Sequence, residues 1–358
     1  MNNLSKTFNS NSESSQPVLS DINFSVRKGE CFTIIGPNGS GKSTLLSIMG
    51  LLIPPTEGQV IYRDKDITAL SKYEKVMVRR NFSFVRQKPV VLDTSVYNNI
   101  SYGLKVRDFK RSEIDKRVKA IIDKVGLNGF EDQNARSLSG GEMQRVAIAM
   151  NFVLEPEIYF LDEVSANLDP KNVALLENFI NEIKNTKNKT IVMSTHDKME
   201  AIKFSDRIAV LRDGKISQIG DVNEIFTSPK DEYAAVFVGY ENVFSGTAKY
   251  NETLQLTEIQ IDNISLNVAA QADGEVKALI KPESIGLSKE KASETSYQNS
   301  IHATITEIRE LGNTYHILAK SGSIELLASI TKLSFQELKL ERGSNIYLNF
   351  KATDIKLL

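Results

Sequence analysis

The chain has 358 residues, of which 41% are apolar and 25% charged, and its formal net charge is −1. That length supports two or three domains with ordinary buried cores, and the balanced charge excludes a strong overall field that would gather nucleic acid or anionic lipid. The single cysteine, Cys31, excludes an internal disulfide and suits a reducing compartment, and with no cleavable signal and no apolar run of about 18 residues the chain is not expected to cross a membrane by itself.

Taken from the start, Leu4-Ser5-Lys6-Thr7-Phe8 ends on an aromatic residue and leads into a polar low-complexity stretch, residues 9–16. An apolar strand-like run, Cys31–Ile35, follows. It opens onto Gly36-Pro37-Asn38-Gly39-Ser40-Gly41-Lys42-Ser43-Thr44 and then a helix-like run, Leu45–Met49. Strand, glycine-rich loop and helix in that order give the pattern G-x-x-x-x-G-K-[ST] its physical sense. Gly36, Gly39 and Gly41 permit close backbone approach, and the freed N–H groups at a helix N-terminus cradle phosphate oxygens. Lys42 is expected to pair with the β- and γ-phosphates of ATP, the Ser43 hydroxyl to hold Mg²⁺, and Thr44 to reach the α-phosphate side.

Residues 93–126 and the stretch to about Phe152 read as helices, with Ile114, Val118, Ile121, Ile122 and Val125 at helical spacing. Within this region lies Leu138-Ser139-Gly140-Gly141-Glu142. The apolar run Ile158–Leu161 then ends on Asp162 and Glu163. A carboxylate at the C-terminal end of a buried strand opens onto a ligand crevice. Asp162 there is expected to support Mg²⁺, and Glu163 to orient the attacking water or take its proton. A further apolar strand, Thr190–Met193, precedes Ser194-Thr195-His196-Asp197, and residues 224–238 close the unit as one helix or two.

These motifs, in this order, resemble the nucleotide-binding subunit of ATP-binding-cassette (ABC) transporters across residues 1–235. The fold class expected is α/β: a P-loop ABC ATPase domain over residues 1–238, with a helical subdomain at about 88–152. The resemblance implies that Ser139, Gly140 and Gly141 belong to the family signature, which closes over the γ-phosphate held by a second copy of the chain. A head-to-tail dimer with two ATP sites follows from it. It further implies that Gln87 touches Mg²⁺ or the attacking water and that Asp169, in Ser165-Ala166-Asn167-Leu168-Asp169, crosses the dimer interface. His196 would contact the γ-phosphate, and Phe8 would stack on adenine. The chain departs from the family at Val164, where proline is usual, and in a first strand that is short or missing.

From Gly239 the pattern changes to short alternating runs such as 253–256, 278–280, 301–305 and 346–350, as in small β-barrels. Residues 239–358 are expected to form a β-rich regulatory region of one or two small oligonucleotide-binding-like (OB-like) barrels. Residues 300–358 are similar to the molybdate- and tungstate-binding barrel domain, which makes Thr331, Ser334 and Lys351 candidate oxyanion donors. The run Pro89–Val96 resembles tungstate and phosphate importers and lacks the Pro-His pair usual in sugar and polyamine importers. Together these imply the ATPase of an oxyanion importer, tungstate or molybdate first, on the cytoplasmic face of a membrane. Its expected partners are permease subunits and, indirectly, an extracytoplasmic solute-binding protein, and nucleic acid is not among them. Other importer cargoes (phosphate, sugar, polyamine or ferric ion) are the alternative. A soluble ABC ATPase of translation or DNA repair is disfavoured by the single cassette and the lack of sustained heptads.

Overall fold

The computed structural model of the chain describes all residues except 9–16, 89, 167, 187 and 292–294, so the polar loop, Pro89 and Asn167 lie outside the described residues. The chain divides into two compact units, Met1–Ser228 and Pro229–Leu358.

The first unit begins with β1 (Asn2–Lys6), β2 (Leu19–Ile22), β3 (Cys31–Ile35), α1 (Lys42–Met49), β4 (Glu57–Gln59), β5 (Ile61–Tyr62), β6 (Lys65–Asp66), α2 (Lys72–Arg79) and β7 (Phe82–Val85). Three helices follow, α3 (Val96–Lys105), α4 (Arg111–Lys124) and α5 (Gly140–Phe152). The chain then alternates through β8 (Ile158–Asp162), α6 (Pro170–Thr186), β9 (Thr190–Ser194), α7 (Lys198–Phe204), β10 (Arg207–Arg212), β11 (Lys215–Asp221) and α8 (Val222–Thr227). The central sheet has the order β11-β10-β3-β9-β8-β7, parallel except for β11. Every residue of β3 and β9 is buried, as expected of parallel strands covered on both faces. One face packs on α1 and the β1–β2 pair through Leu4, Leu19, Phe32, Leu45 and Phe160. The other packs on the helical region through Ile100, Val118, Ile122, Val146 and Phe179. β1 is a formed strand of five residues, paired with both β2 and β4. Among the described residues no helix is long and apolar enough to cross a membrane.

The second unit opens with α9 (Glu232–Phe237) and continues through β12 (Asn242–Asn251), β13 (Leu256–Ile261), β14 (Ile264–Val268), β15 (Gly274–Ile280) and β16 (Gly286–Ser288). It ends with β17 (Asn299–Leu311), β18 (Thr314–Ser321), β19 (Ile324–Thr331), α10 (Lys332–Leu338), β20 (Asn345–Phe350) and β21 (Ile355–Leu357). Two five-stranded antiparallel sheets result, β14-β13-β12-β15-β21 and β16-β20-β17-β18-β19, which share one apolar core. The halves exchange their last strands: β16 pairs with β20 of the second half, and β21 pairs with β15 of the first. Each half also opens on a buried asparagine that reaches into the other sheet. Asn242 accepts from the Leu327 N–H and donates to the Leu327 carbonyl, at 2.7 and 3.0 Å. Asn299 makes the same pair of bonds to Asn267, at 2.8 and 2.9 Å. Both amides therefore continue a β-ladder across the gap between the sheets. The run 253–256 is strand only at Leu256. The Asn251 side chain accepts from the N–H groups of Thr253 and Leu254, an Asx turn that competes with the ladder.

Candidate functional site

The strand order β3-β9-β8 sets the C-terminal ends of three strands side by side. The loop after β3, the carboxylates at the end of β8 and the segment after β9 are brought together there, at the sheet edge where α/β proteins hold ligands. At the opposite end, around the first residues of β7, β8 and β9, lies a cavity of about 790 Å³ lined by Phe24, Tyr62, Phe82 and Phe160, with none of the phosphate-loop residues on its wall.

Within the loop, Gly36 is required by close approach: a Cβ would lie 2.2 Å from the Leu211 carbonyl oxygen. Gly41 caps α1 in the left-handed region at φ +104°, a conformation that favours glycine. Lys42, whose side chain is 4% exposed, forms a 3.2 Å ion pair with Glu163. Its ammonium also donates to the carbonyls of Gly36 and Pro37 at 2.9 and 3.1 Å. Ser43 Oγ donates to Asp162 Oδ1 at 2.9 Å. Ser40 Oγ is buried at this loop without a hydrogen-bond partner among the described residues.

Glu163 sits in the left-handed region at φ +46°, a backbone strain of about 1–3 kcal/mol for a non-glycine residue. The turn is held because the Glu163 N–H donates to both the carbonyl and the hydroxyl of Ser194, at 3.1 and 3.2 Å. Glu163 Oε2 lies 3.6 Å from His196 Nδ1. Val164, in the place where the family usually has proline, is buried in the core beneath. Gln87 is exposed two residues past β7, whose last residue pairs with Leu161 on β8. Phe8 is half-exposed, with the Lys6 ammonium 4.9 Å from its ring centroid.

The signature segment starts α5. Ser139 is the N-cap, and with Glu142 it forms a reciprocal capping box. The Ser139 hydroxyl and backbone N–H both donate to the Glu142 carboxylate, which holds that carboxyl below its usual range. A Cβ on Gly140 would meet nothing within 4 Å among the described residues, so this glycine presents open backbone to them. Asn172 Nδ2 donates to the Gly141 carbonyl and to Asp169 Oδ2, at 3.3 and 2.8 Å. Among the described residues the segment, outside itself, meets Asn172 and Asp169, while Lys42 and Ser43 pair with Glu163 and Asp162.

In the second unit Thr331 caps α10, accepting from Ser334 N–H at 3.2 Å, and the two hydroxyls are 3.0 Å apart. Lys351 is not beside them. β17 pairs at its first residue with Phe350 and at its last with Thr314, which in turn pairs with Thr331. The length of β17 therefore separates Lys351 from Thr331 and Ser334.

Two residues escaped the sequence reading as site elements: Asn172, on the first turn of a helix, and Ser194, at the end of a strand. Their only sequence signal is a polar residue beside an apolar run, and what distinguishes them is a partner more than thirty residues away or in the adjacent strand.

A phosphate loop, a strand-end carboxylate pair and a histidine converging on the edge of a parallel sheet define a P-loop ATPase. The ABC transporter family matches residues 19–166, and the TOBE domain matches residues 295–357. The chain is 38% identical to the molybdate/tungstate import ATP-binding protein WtpC of Pyrococcus abyssi over 343 residues, 95% of each chain. It is 32% identical to the sulfate/thiosulfate import ATP-binding protein CysA 1 of Agrobacterium fabrum over 303 residues, 83% of this chain and 82% of the other. A solved dimeric structure of the ATP-binding cassette MJ0796, in a post-hydrolysis state bound to ADP and Pi, aligns with a TM-score of 0.57 at 30% identity, covering 62% of this chain and 97% of that one. The chain belongs to the ATP-binding subunits of ABC transporters, and it binds and hydrolyses nucleotide.

Proposed function

We propose that the chain energises an importer of molybdate or tungstate, working as a head-to-tail dimer on the cytoplasmic face of a membrane against permease subunits that an extracytoplasmic binding protein supplies. The observation that carries this reading is the similarity to WtpC, which runs through both units and not the cassette alone. The dimeric cassette among the solved relatives supports two copies.

In this reading Lys42 leaves Glu163 for the β- and γ-phosphates, and the loop N–H groups from Gly36 to Thr44 take the phosphate oxygens. The Ser40 hydroxyl, without a partner among the described residues, fits such an anion. Ser43 and Asp162, with Gln87 at the sheet edge, are a set of hard oxygen donors that would hold Mg²⁺, which when bound neutralises charge on the phosphates. Freed of Lys42, Glu163 orients water for in-line attack, with His196 beside it on the phosphate. Phe8 offers an aromatic face to adenine. Ser139, Gly140, Gly141 and Asp169 of the second copy complete each site.

Glu163→Gln should abolish steady-state turnover while an ATP-bound dimer still forms by size-exclusion chromatography. Near-parental hydrolysis would remove Glu163 from this role. A second reading, sulfate or thiosulfate import, is favoured by the match to CysA 1. ATP-driven tungstate uptake into vesicles carrying the assembled transporter separates the two: competition by molybdate and not by sulfate supports the first.

A further inference from the structure

We infer that Ser194 is a positioning residue of the nucleotide site, whose hydroxyl fixes the Asp162 carboxylate and the Glu163 backbone together and thereby sets the affinity for magnesium-bound nucleotide. This role rests on the reading of Asp162 as the carboxylate that supports Mg²⁺.

Ser194 is the last residue of β9, the strand lying between β3, which leads into the phosphate loop, and β8, which ends in Asp162. In the parallel registers it pairs with Asp162 on one side and with Ile34 on the other. Register partners in a sheet point to the same face, so the Ser194 and Asp162 side chains meet. The Ser194 hydroxyl donates to Asp162 Oδ1 at 2.7 Å and accepts from the Glu163 N–H at 3.2 Å. It is 1% exposed, so water does not replace either bond.

Two hydroxyls converge on Asp162 Oδ1, that of Ser43 and that of Ser194. The Ser43 hydroxyl is the one a metal ion would recruit, and the Ser194 bond is then what holds the carboxylate plane. Without it the terminal torsion of Asp162 is free to sample its broad, two-fold range. A carboxylate ligand that is not itself hydrogen-bonded loses orientation toward the metal. The second bond, to Glu163, holds a residue whose left-handed backbone is otherwise strained. One buried hydroxyl therefore couples the position of the metal-supporting carboxylate to that of the water-orienting one.

The test uses the full chain and a fluorescent ADP analogue, titrated at increasing Mg²⁺ and again in EDTA. Ser194→Ala should raise the Mg²⁺ concentration for half-maximal binding about tenfold, the low end of what losing a ligand's supporting hydrogen bond costs, and leave the Mg²⁺-free affinity within about twofold. Ser194→Thr retains the hydroxyl and should recover the parental Mg²⁺ dependence to within about threefold. Parental Mg²⁺ dependence in the alanine variant, an equal loss with and without Mg²⁺, or no recovery with threonine would each overturn the role. An alanine variant that fails to fold by circular dichroism would make Ser194 structural and overturn it as well. A parent protein whose nucleotide binding ignores Mg²⁺ would instead sink the reading of Asp162 on which this role depends.

Discussion

The ion pair between Lys42 and Glu163 makes nucleotide binding a competition, and Glu163→Gln should reveal it with ADP alone. The two charges are 3.2 Å apart, an attraction of roughly 5 kcal/mol at an effective dielectric constant of about 20. Desolvation of two side chains that are 4% and 15% exposed offsets much of that. Glutamine keeps an acceptor for Lys42, and that charge-assisted bond from the ammonium retains about 1.5 kcal/mol. A net release of about 1.5–3 kcal/mol remains, so ADP should bind roughly 10- to 150-fold tighter to the variant than to the parent. ADP is the right probe because it lacks the γ-phosphate, so relief of repulsion between that phosphate and the carboxylate does not enter. Isothermal titration at fixed Mg²⁺ gives the affinities. The nucleotide-free variant should also melt a few degrees lower, because the same pair is lost from the free state. An ADP affinity within twofold of the parent, or weaker, would refute the competition.

Two other perturbations test the architecture. Gly36→Ala places a methyl against the Leu211 carbonyl and the Ser40 hydroxyl, at 2.2 and 2.6 Å. It should cost about 2–3 kcal/mol in urea unfolding and weaken nucleotide binding more than tenfold, and parental stability would mean the loop relaxes freely. Asn242→Ala and Asn299→Ala each strand a backbone N–H and carbonyl in the opposite sheet. Each should lower stability of the second unit by about 2–4 kcal/mol, with amide exchange of the full chain accelerated at Leu327 and at Asn267 respectively. Exchange unchanged at those amides would mean that water replaces the side chains.

The parallel-sheet unit was largely readable from the chain because its signals are local. Cys31–Ile35 and Thr190–Met193 are predominantly apolar runs carrying one threonine each, as suits strands buried on both faces, and the helix over 111–124 buries Ile114, Val118, Ile121 and Ile122 at the spacing the sequence shows. The phosphate loop announces itself because its chemistry requires glycines and a lysine within nine residues. Asp162 and Glu163 were readable for a similar reason, as carboxylates at the end of an apolar run. By contrast, Thr331 and Lys351 looked compatible as oxyanion donors because residue type carries no register, and only the pairings along β17 show them apart.

What the chain conceals has one physical form, a short polar side chain whose partner is backbone or carboxylate far off in sequence. Asn242 and Asn299 carry no signal of their own in the sequence, since asparagine is disfavoured in strand interiors and an isolated example carries no period. Their actual role appears only when two halves of dissimilar sequence are seen to exchange β16 and β21 and to close on each other through equivalent amides. Ser194 is hidden in the same way. A serine ending a buried strand is ordinary until the strand order sets β9 between β3 and β8, and strand order is a tertiary fact that hydrophobic period does not encode. The consequence for the site is specific. Groups that touch phosphate are constrained by chemistry and recur as recognisable motifs. Groups that merely aim those groups are constrained by geometry, so any residue with a hydroxyl or amide in the right place serves. A residue such as Ser194 is thus found by asking what holds Asp162 in place, not by asking which residues resemble a motif.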